Sequence, residues 1–153
     1  MKQAKIKTLI SVAIYLRGHE LNPAHVSQVV GLQPTRFQRR GGLRAGSEKF
    51  IAKIGMWTLQ AKSESRSVSD LVEDLLAKIG DPPMPLDQIE GVEDACLDIF
   101  IATEEDGNGK LEFPPPCGIS TSAIEWKLTD DHIRKLSQLG LSACFTVSRS
   151  RED

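Results

Sequence analysis

The stretch that decides the fold is residues 6–16, Ile-Lys-Thr-Leu-Ile-Ser-Val-Ala-Ile-Tyr-Leu. Its even-numbered positions are apolar except for Thr8, whereas the odd-numbered positions include Lys7, Ser11 and Tyr15. Successive side chains of a strand point to opposite faces of the sheet, so this period of two predicts a long strand with one buried face. Lysines before an apolar run also occur in secretory signals, but Arg-Gly-His-Glu at 17–20 replaces a small-residue cleavage site. We therefore interpret the stretch as a structural strand.

Three helices are predicted from their caps and apolar faces. Asn22 offers a cap oxygen before Pro23, and Gly31 ends that helix after a valine stripe. The last helix has Leu128 and Ile133 in the spacing of a hydrophobic staple. The predicted helices span residues 23–30, 67–79 and 129–139.

The remaining alternating segments are predicted as strands and set the fold class. They are residues 53–61, 95–103, 110–113 and 141–147, with 124–128 as a further edge strand. The polar turn at 104–109 makes 95–103 and 110–113 a predicted hairpin. This order predicts one α+β domain over residues 1–153, with an antiparallel or mixed sheet of four to six strands. Two or three helices pack on it in a ferredoxin-like, split β-α-β manner.

The composition is that of an ordinary globular domain. The chain has 153 residues, of which 40% are hydrophobic and 26% charged, and no apolar run reaches the length of a membrane span. Its three cysteines, Cys96, Cys117 and Cys144, are too few and too widely spaced for a disulfide framework. We therefore expect free thiols in the cytoplasm, with Cys96 and Cys144 acting as small apolar core residues.

The charges are divided along the chain. Residues 1–66 carry twelve Lys and Arg against three Asp and Glu, whereas residues 67–153 carry seven against eighteen. Between residues 87 and 112, nine acidic residues face only one lysine, Lys110. Such an acidic segment can steer association with a basic partner.

No motif in the chain predicts a cofactor, a metal or an enzymatic reaction. The acidic turn that starts at Glu104 resembles a calcium loop, but Pro115 occupies the position that requires a bidentate carboxylate. His19, His25 and His132 lack the spacing of a metal site, and no nucleophile, base and orienting group can be assembled. We expect a binding protein that uses neither metal nor cofactor.

The basic loop at residues 33–53 is one candidate binding segment. It combines positive charge with Phe37, as a phosphate-contacting segment would, although the pI of about 5.9 argues against a dedicated nucleic-acid binder. This loop predicts a site for RNA or another phosphate-bearing ligand. The residues proposed for it are Thr35, Arg36, Arg39, Arg40 and Arg44.

Several short motifs together resemble a known family. They are Gly18, Leu-Asn-Pro at 21–23, Gly-Leu-Gln-Pro-Thr-Arg at 31–36 and Gly-Met-Trp-Thr-Leu at 55–59. The sequence is similar to the bacterial family of unknown function DUF4279, although Asn22 stands where that family more often has aspartate. Within the last motif, Trp57 is expected to be a core anchor.

The resemblance implies a binding role. Small α+β proteins of this kind are often encoded beside polymorphic or contact-dependent toxins and act as immunity proteins in the cytosol. The expected partner is the C-terminal domain of the cognate toxin, a basic nuclease, which the acidic segment would occlude. The residues expected at that interface are Asp87, Glu90, Glu93, Asp94, Asp98, Glu104, Glu105, Asp106 and Glu112.

Overall fold

The computed structural model describes residues 6–44, 47–105 and 127–151. Within these ranges, five strands form one sheet, accompanied by three α-helices and one short 3-10 turn. The elements are β1 (Ile6–Gly18), α1 (Pro23–Val30), β2 (Arg36–Gln38), β3 (Gly55–Ser63), α2 (Val68–Ile79), the turn Leu86–Gln88, β4 (Asp94–Glu105), α3 (Asp130–Leu139) and β5 (Ser142–Arg151). No helix among the described residues is long and apolar enough to cross a membrane.

The strand order is β2-β3-β1-β4-β5, which confirms the predicted α+β domain with a mixed sheet. β1 pairs antiparallel with β3 and β4, and β2 pairs antiparallel with β3. The first four strands and two helices thereby reproduce the ferredoxin-like β-α-β-β-α-β order. The last helix and strand extend this unit, because β5 lies parallel to β4 at the far edge.

The core lies between the helices and the face of β1 that the alternation predicts to be buried. Val12, Ile14 and Leu16 have no exposed surface, and they belong to one apolar cluster with the inner face of α2. Trp57 on β3 is also fully buried, and its indole Nε1 donates a hydrogen bond to Ser27 Oγ at 3.1 Å. Trp57 is therefore a core anchor, as its sequence context predicts.

The helix starts follow the predicted caps, whereas Ile133 of the predicted staple is exposed. Thr129 accepts a hydrogen bond from the backbone N–H of His132, and its own N–H donates to His132 Nδ1. Ile133 is 54% exposed, since the buried face of α3 is formed by His132, Leu136 and Leu139. Ile133 therefore lies largely outside the core, and its predicted staple contact with Leu128 stays a prediction.

Three features depart from the predicted strands and core. Residues 36–38 form the short strand β2 inside the segment predicted to be a loop. Both edges of β4 are occupied along residues 96–105, by β1 and β5, whereas the predicted hairpin partner at 110–113 lies outside the described residues. The predicted edge strand at 124–128 also begins outside them, and residues 127–128 are not in a strand.

Cys96 is buried as predicted, but Cys144 is exposed because it lies on the edge strand β5.

One end of the sheet depends on closely packed glycines. Gly18 at the end of β1 pairs with Gly55 at the start of β3. A Cβ atom at Gly18 would lie 1.8 Å from the carbonyl oxygen of Gly91, and one at Gly55 would lie 2.5 Å from that of Leu21. Only glycine allows these backbone segments to approach so closely, and the approach fixes the position of the adjacent Arg17.

Candidate functional site

The candidate site lies on the second face of the sheet, the face turned away from the helix-packed core. The odd-numbered residues of β1 belong to this face, among them Tyr15 and Arg17. Tyr15 pairs with Thr58 on β3, and Thr58 pairs with Arg36 on β2. The register therefore places Arg36, Thr58 and Tyr15 in one row across three strands, since directly paired residues share a face.

The segment between β2 and β3 is a hydrogen-bonded loop and supplies the other wall. The backbone N–H of Gly41 donates to the Ala52 carbonyl at 2.9 Å, and that of Ala52 donates to Gly42 at 2.8 Å. Further out, the N–H of Arg44 donates to the carbonyl of Phe50 at 2.6 Å. These bonds hold the described ends of the loop against each other beside the sheet.

Sheet and loop enclose a basic cleft of about 640 Å³. This volume lies within the range of small-molecule binding sites. Among the described residues that line it there is no Asp, Glu, His, Ser or Cys. The residues that define the basic cleft for our argument are Tyr15, Arg17, Arg36, Arg44, Phe50 and Lys53.

The positive charge of the basic cleft is largely available to a ligand. Arg36, Arg44 and Lys53 are exposed and make no ion pair with any other residue that the structure describes. Arg17 is partly neutralised, because its Nη2 donates to Asp94 Oδ2 at 2.6 Å. This hydrogen bond raises the pKa of Arg17 above its ordinary value. The cleft therefore presents three unpaired cations and a fourth held by one carboxylate.

Aromatic and apolar side chains stand beside these charges. Tyr15 is half-buried on the sheet, and the guanidinium carbon of Arg17 lies 6.0 Å from its ring centroid. Phe50 and Ile51 line the cleft from the loop and are 65% and 67% exposed. Gln38 Nε2 donates to the carbonyl of Ile54 at 2.9 Å, which ties the end of the loop to β2.

The structure places only some of the predicted phosphate-binding residues in the basic cleft. Arg36 and Arg44 line the basic cleft, but Arg39 and Arg40 border other depressions of the surface. Arg40 is paired with Glu20 at 2.6 Å. Thr35 is bound to β3, since its N–H donates to the Thr58 carbonyl at 2.8 Å and its Oγ1 accepts from the Gln60 N–H at 3.0 Å.

Four residues of the basic cleft, Tyr15, Arg17, Phe50 and Lys53, were not among the candidates from sequence. Arg17 and Tyr15 belong to β1, and Lys53 lies just before β3. The alternation of β1 contained a signal for the first two, because it already placed them together on the face opposite the core. Lys53 carried no comparable signal, since its place in the cleft depends on how the loop closes.

The acidic residues expected at a partner interface do not form one free surface. Asp94 pairs with Arg17, and Glu93 accepts hydrogen bonds from the N–H of His19 at 2.9 Å and from His19 Nδ1 at 3.0 Å. Both hydrogen bonds lower the pKa of the Glu93 carboxyl group, and the bond from the backbone N–H has the larger effect. The positive and negative halves of the chain therefore meet between β1 and the start of β4.

Other members of the acidic set remain available. Asp87 and Glu90 are exposed and Asp98 is half-buried, and none of the three pairs with a cation among the described residues. Glu104 and Glu105 end β4, and Asp106 and Glu112 lie outside the described residues. Across the described part of the chain, no three His, Cys, Asp or Glu residues are grouped so that they could hold a metal ion.

Comparison with known proteins identifies the family. The family model for a domain of unknown function, DUF4279, matches residues 6–148, which includes all of the sheet except the end of β5. The chain belongs to the DUF4279 family. No curated protein and no solved structure matches it significantly. The family match covers every residue of the basic cleft, and the function of the family is unknown.

Proposed function

We propose that this DUF4279 protein is a non-catalytic binding protein whose basic cleft takes a phosphate-bearing ligand, either RNA or a smaller phosphate compound. The observation that carries the proposal is a cleft lined by Arg36, Arg44 and Lys53, which form no ion pair with, and share the cleft with no acidic residue among, the residues that the structure describes. Like charges brought together without carboxylates repel one another, and a bound anion relieves that repulsion.

The kinds of side chain present suit a phosphate group. Arginine offers a planar fork of N–H donors that matches two phosphate oxygens, and lysine adds a compact point charge. Arg36 comes from a strand and Arg44 from the facing loop, so one anion between them would be contacted from two sides. Such a contact would also hold the loop against the sheet.

The test is a comparison of two double variants that remove the same charge. Arg36→Gln with Arg44→Gln empties the basic cleft of two cations, whereas Arg39→Gln with Arg40→Gln removes two cations outside it. Each charged hydrogen bond contributes about 1.5 kcal/mol or more, so the first pair should weaken pyrophosphate binding roughly 100-fold. The second pair should change it less than about threefold, the effect of an exposed charge.

Isothermal titration calorimetry with pyrophosphate and with a short single-stranded RNA measures both effects. Circular dichroism on the same samples checks that each variant is folded. Equal losses in the two double variants would show that only overall charge matters and would contradict the assignment of the cleft. The absence of binding to either probe would contradict the proposed function itself.

A second candidate function is that of a cytosolic immunity protein that blocks the C-terminal domain of a cognate toxin. The observation that favours it is the availability of Asp87, Glu90 and Asp98, which make no ion pair among the described residues. These carboxylates lie along the start and middle of the β4 region, where they could contact a basic partner.

Charge reversal tests this second function. Glu90→Lys with Asp98→Lys should slow association with the toxin domain encoded by a neighbouring gene and weaken the complex at low salt. Glu73→Lys, at an exposed carboxylate on α2, is the control. Surface plasmon resonance gives both rates, and equal rates in the Glu90 and Asp98 variant and the parent protein would contradict the acidic interface.

A further inference from the structure

We infer that the ligand of the basic cleft joins its phosphate to a planar base, and so is a nucleoside phosphate, either as a free nucleotide or as one unit of single-stranded RNA. This inference rests on the proposed function, because it assumes that the cations bind phosphate. It adds a role for the rings of Tyr15 and Phe50, which a bare phosphate would not use.

The two rings approach the basic cleft from different sides. Tyr15 lies on β1 in the sheet, and Phe50 belongs to the loop that forms the other wall. The guanidinium carbon of Arg17 lies over the Tyr15 ring, 6.0 Å from its centroid, so a base stacked on this face of the ring would also contact Arg17. Bases of nucleic acids stack on such side chains whatever their sequence, because every base has a π face.

A ligand with only a phosphate group, or with only an apolar ring, would leave part of the basic cleft without a partner. Inorganic phosphate would pair with Arg36 and Arg44. It would leave the apolar side chains of Phe50 and Ile51 about two-thirds exposed to water, as they are without a ligand. An apolar ring would cover those side chains but leave the cations unpaired. A nucleoside phosphate supplies both parts, and a cleft of about 640 Å³ has room for a ligand of that size.

A buried hydroxyl group without a hydrogen-bond partner among the described residues lies in the same row of side chains as Arg36 and Tyr15. Thr58 is 1% exposed, and its Oγ1 has no hydrogen-bond partner in the described part of the chain. Buried polar atoms without partners are rare in native proteins. Thr58 lies between Arg36 and Tyr15 in the register but does not line the basic cleft, so a ligand group could reach its hydroxyl only if these two side chains moved apart.

Calorimetry with four probes tests the inference: inorganic phosphate, adenosine, adenosine monophosphate and a single-stranded tetra-adenylate. We expect the monophosphate to bind about tenfold or more tightly than phosphate, which is the size of one base stack. Phe50→Leu should remove most of that advantage and leave phosphate binding unchanged. Phe37→Leu is the matched control, because Phe37 is 58% exposed but lines a different depression.

Tyr15→Leu provides a second test of stacking. Its binding data are interpreted only if circular dichroism shows that the variant has the native fold. A tetra-adenylate that binds more tightly than the monophosphate identifies RNA as the source of the nucleotide, and equal affinities identify a free nucleotide. Equal binding of phosphate and monophosphate, unchanged by Phe50→Leu, would overturn this inference while leaving the proposed function intact. Adenosine binding as tightly as the monophosphate, or no binding of any probe, would overturn both.

Discussion

The pair formed by Arg17 and Asp94 offers a test in which a mutation should strengthen binding. Arg17 Nη2 and Asp94 Oδ2 are 2.6 Å apart, and the two side chains are 46% and 51% exposed. The substitution Asp94→Asn removes the one carboxylate paired with a cation of the basic cleft. It leaves Arg36, Arg44 and Lys53 unchanged and makes the fourth cation available to an anion.

The expected size follows from the geometry. An ion pair this exposed contributes at most about 1 kcal/mol to folding, so the variant should remain folded. A phosphate bound at Arg17 would lie roughly 7 Å from the Asp94 carboxylate, and in water the repulsion at that distance is about 0.6 kcal/mol for each unit of charge. Removing it should tighten binding about threefold for each negative charge of the phosphate, which is about sevenfold for the nearly doubly charged phosphate of adenosine monophosphate at neutral pH.

The assay is calorimetric titration of Asp94→Asn with adenosine monophosphate. Asp74→Asn is the control, because Asp74 pairs with Arg66 at similar exposures, 45% and 46%, but belongs to α2. We expect tighter binding in the first variant and unchanged binding in the control. Unchanged or weaker binding in Asp94→Asn would refute the view that Arg17 contributes to the site. An acidic toxin interface predicts the opposite effect on toxin affinity, namely a loss.

Three further predictions concern the fold that supports the site. Trp57→Ala should lower the free energy of unfolding by about 3–5 kcal/mol, measured by urea denaturation, since it empties a fully buried site and strands the Ser27 hydroxyl. Gly18→Ala should cost about 1–3 kcal/mol because its Cβ would meet the Gly91 carbonyl, whereas Gly42→Ala, whose nearest contact would be 3.3 Å, should cost less. The pKa of Glu93 in the folded protein lies below its ordinary value of 4.5. The hydrogen bonds of the Glu93 carboxylate therefore stabilise the fold fully above pH 4.5, and this stabilisation is lost as the pH falls through the lowered pKa. The difference in urea midpoint between the parent protein and Glu93→Gln should therefore shrink from about pH 6 to about pH 3, and a constant difference would contradict this account of Glu93.

Much of the fold was predictable because it depends on local patterns. The alternation at residues 6–16, the Asn22 cap and the apolar face of α2 are each encoded within a few residues, and each matches the structure. The α+β class followed from the alternation of strands and helices, but the observed β-α-β-β-α-β order includes β2, which lies in the segment predicted to be a loop. The position of β5 parallel to β4 did not follow, because strand register between distant segments depends on tertiary packing.

The candidate site was only partly predictable for the same reason. A cluster of arginines near Arg36 indicated an anion site, but the order of charges along a chain does not show to which face of the sheet each side chain points. Consecutive strand residues point to opposite faces, so Arg36 reaches the basic cleft while Phe37 does not. The ion pair of Arg40 with Glu20 and the contribution of Arg17 both depend on which strands are neighbours.

The central claim is that the basic cleft binds a phosphate-bearing ligand. Amide NMR of the intact chain, titrated with pyrophosphate, tests it most directly. We predict that the largest shifts occur at residues 15, 17, 36, 38 and 50–54, which line the cleft from the sheet and the loop. Shifts confined to α2 or α3, or none at saturating pyrophosphate, would contradict the claim.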